Sequence, residues 1–162
     1  MKKSCYILLI LLQVSCKNQY FTKVNKLLDS DYPRKSNKII KSSFEVRKKM
    51  FELGHLSFIT EKDTIFFLDD YDLPSATHYG SIWTSNKSFH YSLSNDGVTE
   101  LSKAPLESGI LSLVSKWDTT EIRKESEINY NKLNSSHLIT AYQVYKKQEH
   151  IITNKITFRP FY

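Results

Sequence analysis

The chain has 162 residues, of which 40% are hydrophobic and 13% aromatic, and it carries a formal net charge of +6 at pH 7. This length corresponds to a single domain, and the composition provides enough apolar material for a core that needs no disulfide. Basic and acidic side chains alternate, as in Lys146-Lys147-Gln148-Glu149, so we expect a mixed solvated surface and no nucleic-acid partner.

The first sixteen residues have the pattern of an export signal. Lys2 and Lys3 precede the apolar run 6–12, and Val14-Ser15-Cys16 ends the run with small residues and a cysteine. The apolar run is well short of the ~20 residues that a helix needs to cross the hydrocarbon core. A permanent transmembrane helix is therefore the weaker interpretation.

This pattern resembles the signal peptide and lipobox of bacterial lipoproteins. Ser15 and Val14 agree with the motif of that class, whereas Gln13 departs from it. The resemblance implies cleavage before Cys16 and acylation of that cysteine, and two or three acyl chains give stable anchoring at ~0.8 kcal/mol per buried methylene. It also implies a place in the cell envelope, facing the periplasm or the cell surface, with the outer membrane favoured. A plain secretory signal with an incidental cysteine is the alternative.

Three segments follow from this interpretation. Residues 1–15 are a signal peptide, residues 16–41 are the lipidated cysteine with a tether and a short helix, and residues 42–162 form a single α+β domain. Cleavage removes two lysines and no acidic residue, so the net charge falls from +6 to +4. It also removes Cys5, which leaves no thiol for a disulfide once Cys16 carries lipid.

Two helices are predicted between Cys16 and Gly54. The first covers residues 20–28, where apolar side chains recur at three- and four-residue steps, namely at Phe21, Val24, Leu27 and Leu28. We favour docking of this face on the domain over contact with the bilayer. The second covers residues 42–53, because Ser42 and Glu45 have the spacing of a capping box. Its apolar face consists of Val46, Met50 and Leu53.

Between residues 55 and 102 the apolar pattern changes to the two-residue period of strands. We predict five strands, over residues 55–60, 64–69, 79–84, 88–94 and 98–102. The first two form a hairpin around 61–63, and the next two turn at 85–87. Asn95-Asp96-Gly97 is the strongest turn signal, because glycine readily adopts a positive φ.

The remaining third of the chain is predicted to contain two helices and a hairpin. Residues 105–117 fit an amphipathic helix with one apolar face, formed by Ile110, Leu113, Val114 and Trp117. Asp118 and Glu121 have the spacing of a helix cap, so a second and mostly exposed helix should cover 119–127.

The register of the last hairpin follows from whether an even or an odd number of residues connects its two strands. Ile139, Ala141 and Tyr145 share one face of its first strand, and Ile152, Ile156 and Phe158 share one face of its second. These faces coincide only if an even number of residues connects the strands, and 147–150 supplies four. We therefore predict an α+β fold, an antiparallel meander of about five to seven strands with two to four helices packed on one face.

Signatures of catalytic and cofactor sites are absent from the sequence. It contains no G-x-S-x-G, no H-E-x-x-H, no P-loop and no dinucleotide-binding glycine motif, and its five histidines do not occur at ligand spacing. We therefore predict no catalytic residue, no metal ligand and no cofactor. Asp69, Asp70 and Asp72 could offer oxygen ligands to calcium, but they lack the glycine and distal glutamate of an EF-hand loop, which favours a solvated strand end.

A group of aromatic residues on neighbouring strands is the candidate ligand site. Tyr79, Trp83 and Tyr91, with Phe89 beside them, would form a stacking platform for a sugar or a peptide if their rings were exposed. The same rings on the inner face of the sheet would be part of the core, which is the favoured interpretation. The exposure of Trp83 decides between the two.

These features together predict a lipid-anchored envelope protein that binds a protein or glycan partner or has a structural role, and that is not an enzyme. Two alternatives are a small hydrolase-like enzyme with a site assembled by folding, and an inhibitor or immunity-type protein that binds another protein. A deep pocket containing His and Asp would favour the enzyme. A shallow aromatic groove would favour the binding protein, and a flat apolar patch would favour the inhibitor.

Overall fold

The structure is a computed structural model, and it describes residues 19–28, 38–72, 77–94, 97–106, 108–133 and 138–160. The predicted signal peptide and Cys16 lie outside these residues, as do Asn95 and Asp96 of the predicted turn. The chain divides into two compact units, Met1–Asp63 and Thr64–Tyr162. The second predicted helix therefore belongs to the first unit, together with the short helix that precedes it.

The α+β fold predicted from the sequence is confirmed, with four helices and six strands among the described residues. The helices are α1 (19–28), α2 (Lys38–Glu52), α3 (Ser108–Lys116) and α4 (Thr119–Leu133). The strands are β1 (Ile65–Asp72), β2 (Thr77–Trp83), β3 (Ser88–Ser94), β4 (Gly97–Leu101), β5 (Ile139–Lys147) and β6 (His150–Phe158).

In the first unit, α1 packs against α2, as the favoured alternative predicted. The Phe21 ring of α1 stacks on the Phe51 ring of α2, with 4.3 Å between the ring centroids. The α1 face predicted to be apolar is buried at Phe21, Val24 and Leu28. Such burial is the main source of stability for a helix of this length, which is marginal in isolation.

The second helix begins earlier than its sequence suggests and ends where predicted. It starts at Lys38, four residues before Ser42. At its end, Gly54 has a φ of +82°, and the amides of Gly54 and His55 donate to the carbonyls of Phe51 and Met50. This pattern satisfies the last carbonyls of the helix and reverses the chain.

The predicted strand 55–60, and with it the predicted first hairpin, is wrong. The amides of Ser57 and Ile59 donate to the carbonyls three residues earlier, so they are not available to a neighbouring strand. The buried side chains in this stretch are Leu56 and Ile59, which are three residues apart and so fit successive turns instead of a two-residue strand period.

The second unit contains the sheet, whose strand order is β4-β3-β2-β1-β5-β6 with every neighbouring pair antiparallel. The first four strands form the predicted meander. After β4, the chain passes through α3 and α4 and returns to pair β5 with the free side of β1. The two helices thus provide the connection between one edge of the meander and its other side.

The parity prediction for the last hairpin is confirmed. Ile139 lies opposite Phe158 and Ala141 lies opposite Ile156. Lys147 pairs with His150, so the connecting turn has two residues instead of four, and the even number preserves the register. Gln148 in this turn has a φ of +56°, which is the backbone conformation that two-residue hairpins require.

Helices α3 and α4 cover one face of the sheet and form an apolar cluster with its strands. Ile110 and Val114 of α3 and Ile122 of α4 are buried with side chains of β1, β2, β5 and β6. The predicted cap is present, because the Glu121 amide donates to the Asp118 carboxylate at 3.0 Å. Trp117, with a φ of +53°, separates the two helices and allows α4 to begin almost immediately after α3.

Candidate functional site

Two of the three rings predicted to form a ligand platform are buried in the sheet. Trp83 is 8% exposed, its ring stacks on Phe66 at 5.4 Å between centroids, and its Nε1 donates to the Ser115 hydroxyl of α3 at 2.8 Å. Tyr91 is fully buried. Tyr79 is half-buried.

The strand register separates these rings onto two faces. Trp83 pairs with Ser88 and Tyr79 pairs with Ser92, whereas Tyr91 pairs with Gly80. Residues that face each other across an antiparallel pair share a face, and the side chains alternate along each strand. Trp83 and Tyr79 therefore lie on one face and Tyr91 on the other, and the structure does not bring the three rings together on an exposed surface.

Fluorescence quenching tests the burial of Trp83. In a Trp117→Phe variant, Trp83 is the remaining tryptophan, and we expect acrylamide to quench it weakly because the indole lies between the sheet and α3. The wild-type protein should be quenched more strongly, since Trp117 is partly exposed. Equally strong quenching of the native and urea-unfolded variant would contradict this placement.

The acidic residues considered as calcium ligands are also separated onto opposite faces of the sheet. Asp69 and Asp70 are both buried, and as neighbours on β1 they project to opposite faces. The Asp72 side chain lies outside the described part. No group of three or more His, Cys, Asp or Glu side chains that could hold a metal ion occurs among the described residues.

A histidine that the sequence did not single out accompanies Asp69. The Nε2 atom of His78 lies 3.3 Å from Oδ1 of Asp69, and the two side chains are 3% and 9% exposed. The Tyr91 ring lies 6.0 Å from the His78 ring on the same face. Because both side chains are removed from water, loss of either partner would leave the other polar group buried without this contact.

His90 lies on the opposite face and does not join that pair. Its Nδ1 atom is 2.9 Å from the Ser81 hydroxyl, and burial lowers the pKa of His90. The imidazole is therefore neutral at pH 7. His78 and His90 thus lie on opposite faces of the sheet, in separate environments.

A concave groove lies between α1 and α2 in the first unit. Its volume is about 720 Å³, within the range of ~300–1,000 Å³ that is typical of small-molecule sites. We call it the α1–α2 groove. The lining residues are Phe21, Thr22, Asn25, Lys26, Phe44, Lys48, Phe51 and Glu52.

Two contacts fix the geometry of the α1–α2 groove. Phe21 near the start of α1 stacks on Phe51 near the end of α2. Further along α1, Asn25 donates to the Phe44 carbonyl at 3.3 Å and accepts from Arg47 Nε at 3.0 Å. The two helices are therefore antiparallel, with the stacked rings at one end of the groove and the Asn25 contacts toward the other.

A buried polar anchor holds the floor of the groove. Asn25 is 3% exposed, and Arg47 is almost completely buried behind it. Hydrogen bonds to charged donors in such surroundings are stronger than those in water, and loss of either partner leaves a polar group buried. The spacing of the helices, and with it the width of the groove, thus depends on Asn25 and Arg47.

The rim of the groove carries more positive than negative charge. Lys26 and Lys48 are exposed, and neither forms an ion pair with an acidic side chain in the described ranges. Glu52 is also exposed and lies one turn beyond Lys48 on α2, about 6 Å along the helix axis. The groove thus combines aromatic walls with two ammonium groups toward one end.

The sequence interpretation missed this groove, although a signal was present. It assigned the apolar face of α2 to Val46, Met50 and Leu53, of which the first two are buried and Leu53 is 63% exposed. Phe44, Lys48 and Phe51 recur at positions i, i+4 and i+7 and therefore define a second face. The partner of that face, α1, could not be identified from periodicity alone.

The assignment of the α1–α2 groove as the candidate site depends on this geometry alone. None of the described helices is long and apolar enough to cross a membrane. No protein-family model, no curated protein and no solved structure matches the chain.

Proposed function

We propose that the protein is a non-enzymatic binding lipoprotein of the bacterial cell envelope, anchored through Cys16, and that its ligand site is the α1–α2 groove. The observation that carries the proposal is the lining of the groove. Three phenylalanines line it, of which Phe44 and Phe51 are partly exposed, and no His, Cys or Asp occurs among the lining residues. Apolar walls with a few polar groups are the usual composition of a ligand site.

The position of Cys16 in the sequence supports the same proposal. Only residues 17 and 18 separate Cys16 from the first residue of α1. Three residue steps span at most about 11 Å, so a lipid anchor at Cys16 would hold the groove close to the membrane surface. A ligand site at that place would meet molecules that reside in, or leave, the adjacent leaflet of the bilayer.

Lipidation can be tested with two cysteine variants. We expect Cys16→Ala to lose incorporation of a labelled palmitate and to move from the membrane to the soluble fraction, because several acyl chains are needed for stable anchoring. Cys5→Ala is the matched control, since Cys5 lies in the segment predicted to be removed, and it should behave as the wild type. Membrane fractionation of Cys16→Ala at the wild-type level would refute the anchor.

The enzymatic alternative has one arrangement in its favour, the Asp69–His78 pair with Tyr91 beside it. A general base must reach the proton that it abstracts in a bound substrate. Asp69 and His78 are too deeply buried for that contact in the described conformation, and neither lines the α1–α2 groove. These observations favour binding over catalysis.

A further inference from the structure

We propose that the α1–α2 groove binds a single-chain anionic amphiphile of the long-chain fatty acid class, an inference that rests on the proposed function and adds the chemical class of the ligand. The acyl chain lies against Phe44 and Phe51, whose side chains are partly exposed in the groove, and the anionic head group lies between Lys26 and Lys48. The proposal follows from three properties of the groove, which are its walls, its charge and its rigidity.

The walls match a linear hydrocarbon chain. The lining residues of α2 extend from Phe44 to Glu52, eight residue steps, which corresponds to about 12 Å of helix. A groove of this length between two antiparallel helices is long enough to hold part of an extended alkyl chain. Burial of each methylene contributes ~0.8 kcal/mol, so most of the affinity comes from the chain.

The charges of the groove match an anionic head group. Two ammonium groups and one carboxylate line the groove, and Lys26 and Lys48 have no acidic partner among the described side chains. A ligand carboxylate between Lys26 and Lys48 would be separated from Glu52 by about one helical turn of α2. The hydrocarbon then lies along the groove against the rings of Phe44 and Phe51. For a cationic head group, the two ammonium groups would be repulsive and only the single carboxylate would be attractive.

The floor of the groove is preorganised. Asn25 joins α1 to the Phe44 carbonyl and to Arg47 on α2, and Phe21 joins the helices at the other end. Since neither contact has to form on binding, the ligand does not have to order the site, which favours affinity. Arg47 also adds a cation beneath the floor, although it does not line the groove.

The test compares head groups on one alkyl chain, using the full-length protein and calorimetric titration below the critical micelle concentration. Dodecanoate should bind at least tenfold more tightly than dodecyltrimethylammonium, with dodecanol between them. In the Lys26→Gln/Lys48→Gln variant, the affinity for dodecanoate should fall about tenfold, which is ~1.4 kcal/mol, while dodecanol binding is unchanged.

The matched control is Lys23→Gln/Lys49→Gln. It removes two exposed lysines of the same helices that do not line the groove, and so changes the net charge equally. We expect dodecanoate to bind this variant nearly as tightly as the wild type. Equal losses in the two double variants would indicate general attraction to a positive surface and would overturn the head-group assignment.

Other outcomes separate this inference from the proposed function. Equal binding of all three amphiphiles would retain the groove as a ligand site and refute the anionic class. Binding of none of them would refute the amphiphile itself, whereas the anchor is tested independently by Cys16→Ala. A ligand-free dimer that the Phe51→Ser variant abolishes, seen by sedimentation, would assign the groove to a second copy of the chain and overturn the proposal.

Discussion

Gly80→Ala should destabilise the second unit by about 1–3 kcal/mol or more, although alanine is normally no worse than glycine in a strand. A Cβ atom at Gly80 would overlap the Cε1, Cζ and Oη atoms of Tyr91, which lies directly across from it on β3. The Tyr91 ring is fully buried between the rings of Phe89 and His78, so it has little room to move away. The free energy of unfolding in urea measures the effect.

Gly109→Ala is the matched control for this substitution. Gly109 lies in α3, and a Cβ atom there would meet no atom within 4 Å. Because alanine is favoured over glycine in a helix, this variant should be more stable than the wild type by up to ~1 kcal/mol. The penalty of Gly80→Ala should shrink when Tyr91 is also replaced by Leu. Similar unfolding free energies for the two glycine variants would show that Tyr91 does not press on Gly80.

Ile156→Asp should cost several kcal/mol, or unfold the second unit, because an isolated carboxylate in an apolar environment is strongly unfavourable. Ile156 is buried among Ala141, Phe158 and the residues of α3 and α4 that cover this face. The free energy of unfolding and the thermal midpoint should both fall. At low pH the deficit should be smaller, since protonation removes the buried charge.

Lys155→Asp is the control on the neighbouring residue, which is exposed and points to the opposite face. The Lys155 Nζ atom lies 5.8 Å from the centroid of the Tyr142 ring, and loss of such an exposed cation–π contact costs ~0.5–1 kcal/mol at most. The melting curve of this variant should therefore lie close to that of the wild type. Equal destabilisation by the two substitutions would contradict the register of β5 and β6.

The two experiments examine opposite faces of one sheet. Ile156 belongs to the face covered by α3 and α4, whereas Tyr91 and Gly80 belong to the other face. That second face also contains fully buried side chains, among them Phe67 and Tyr142. The sheet is therefore sensitive to substitution on both sides near β1, which lies between β2 and β5.

The interior of the sheet is packed and sensitive to substitution, whereas the first unit contains an accessible candidate site. The interior positions of the sheet are occupied by packed apolar side chains and by the Asp69–His78 pair. The α1–α2 groove, in contrast, leaves aromatic surface and two ammonium groups accessible. Substitutions at Lys26 and Lys48 should thus change ligand binding with little effect on stability, because substitutions at exposed positions usually change stability little.

Several elements could be predicted because their signals are local. The helix faces of α1 and α3, the strand 88–94 and the cap at Asp118 each depend on residues within a few positions of one another. The pairing of Ala141 with Ile156 also follows from the sequence, since a short connection leaves few registers and parity selects among them. In each case the decisive interaction forms within one element or one hairpin.

The sequence by itself thus determined the α+β class, the local elements and the last hairpin, while only the tertiary structure decided which elements meet. Periodicity could not show that β5 pairs with β1, because that pairing joins residues 69 to 79 positions apart. It could not show that Trp83 and Tyr91 lie on opposite faces, because this depends on the register between β2 and β3. The α1–α2 groove has the same origin: Asn25 meets Arg47 only after two helices with separate apolar patterns have packed together.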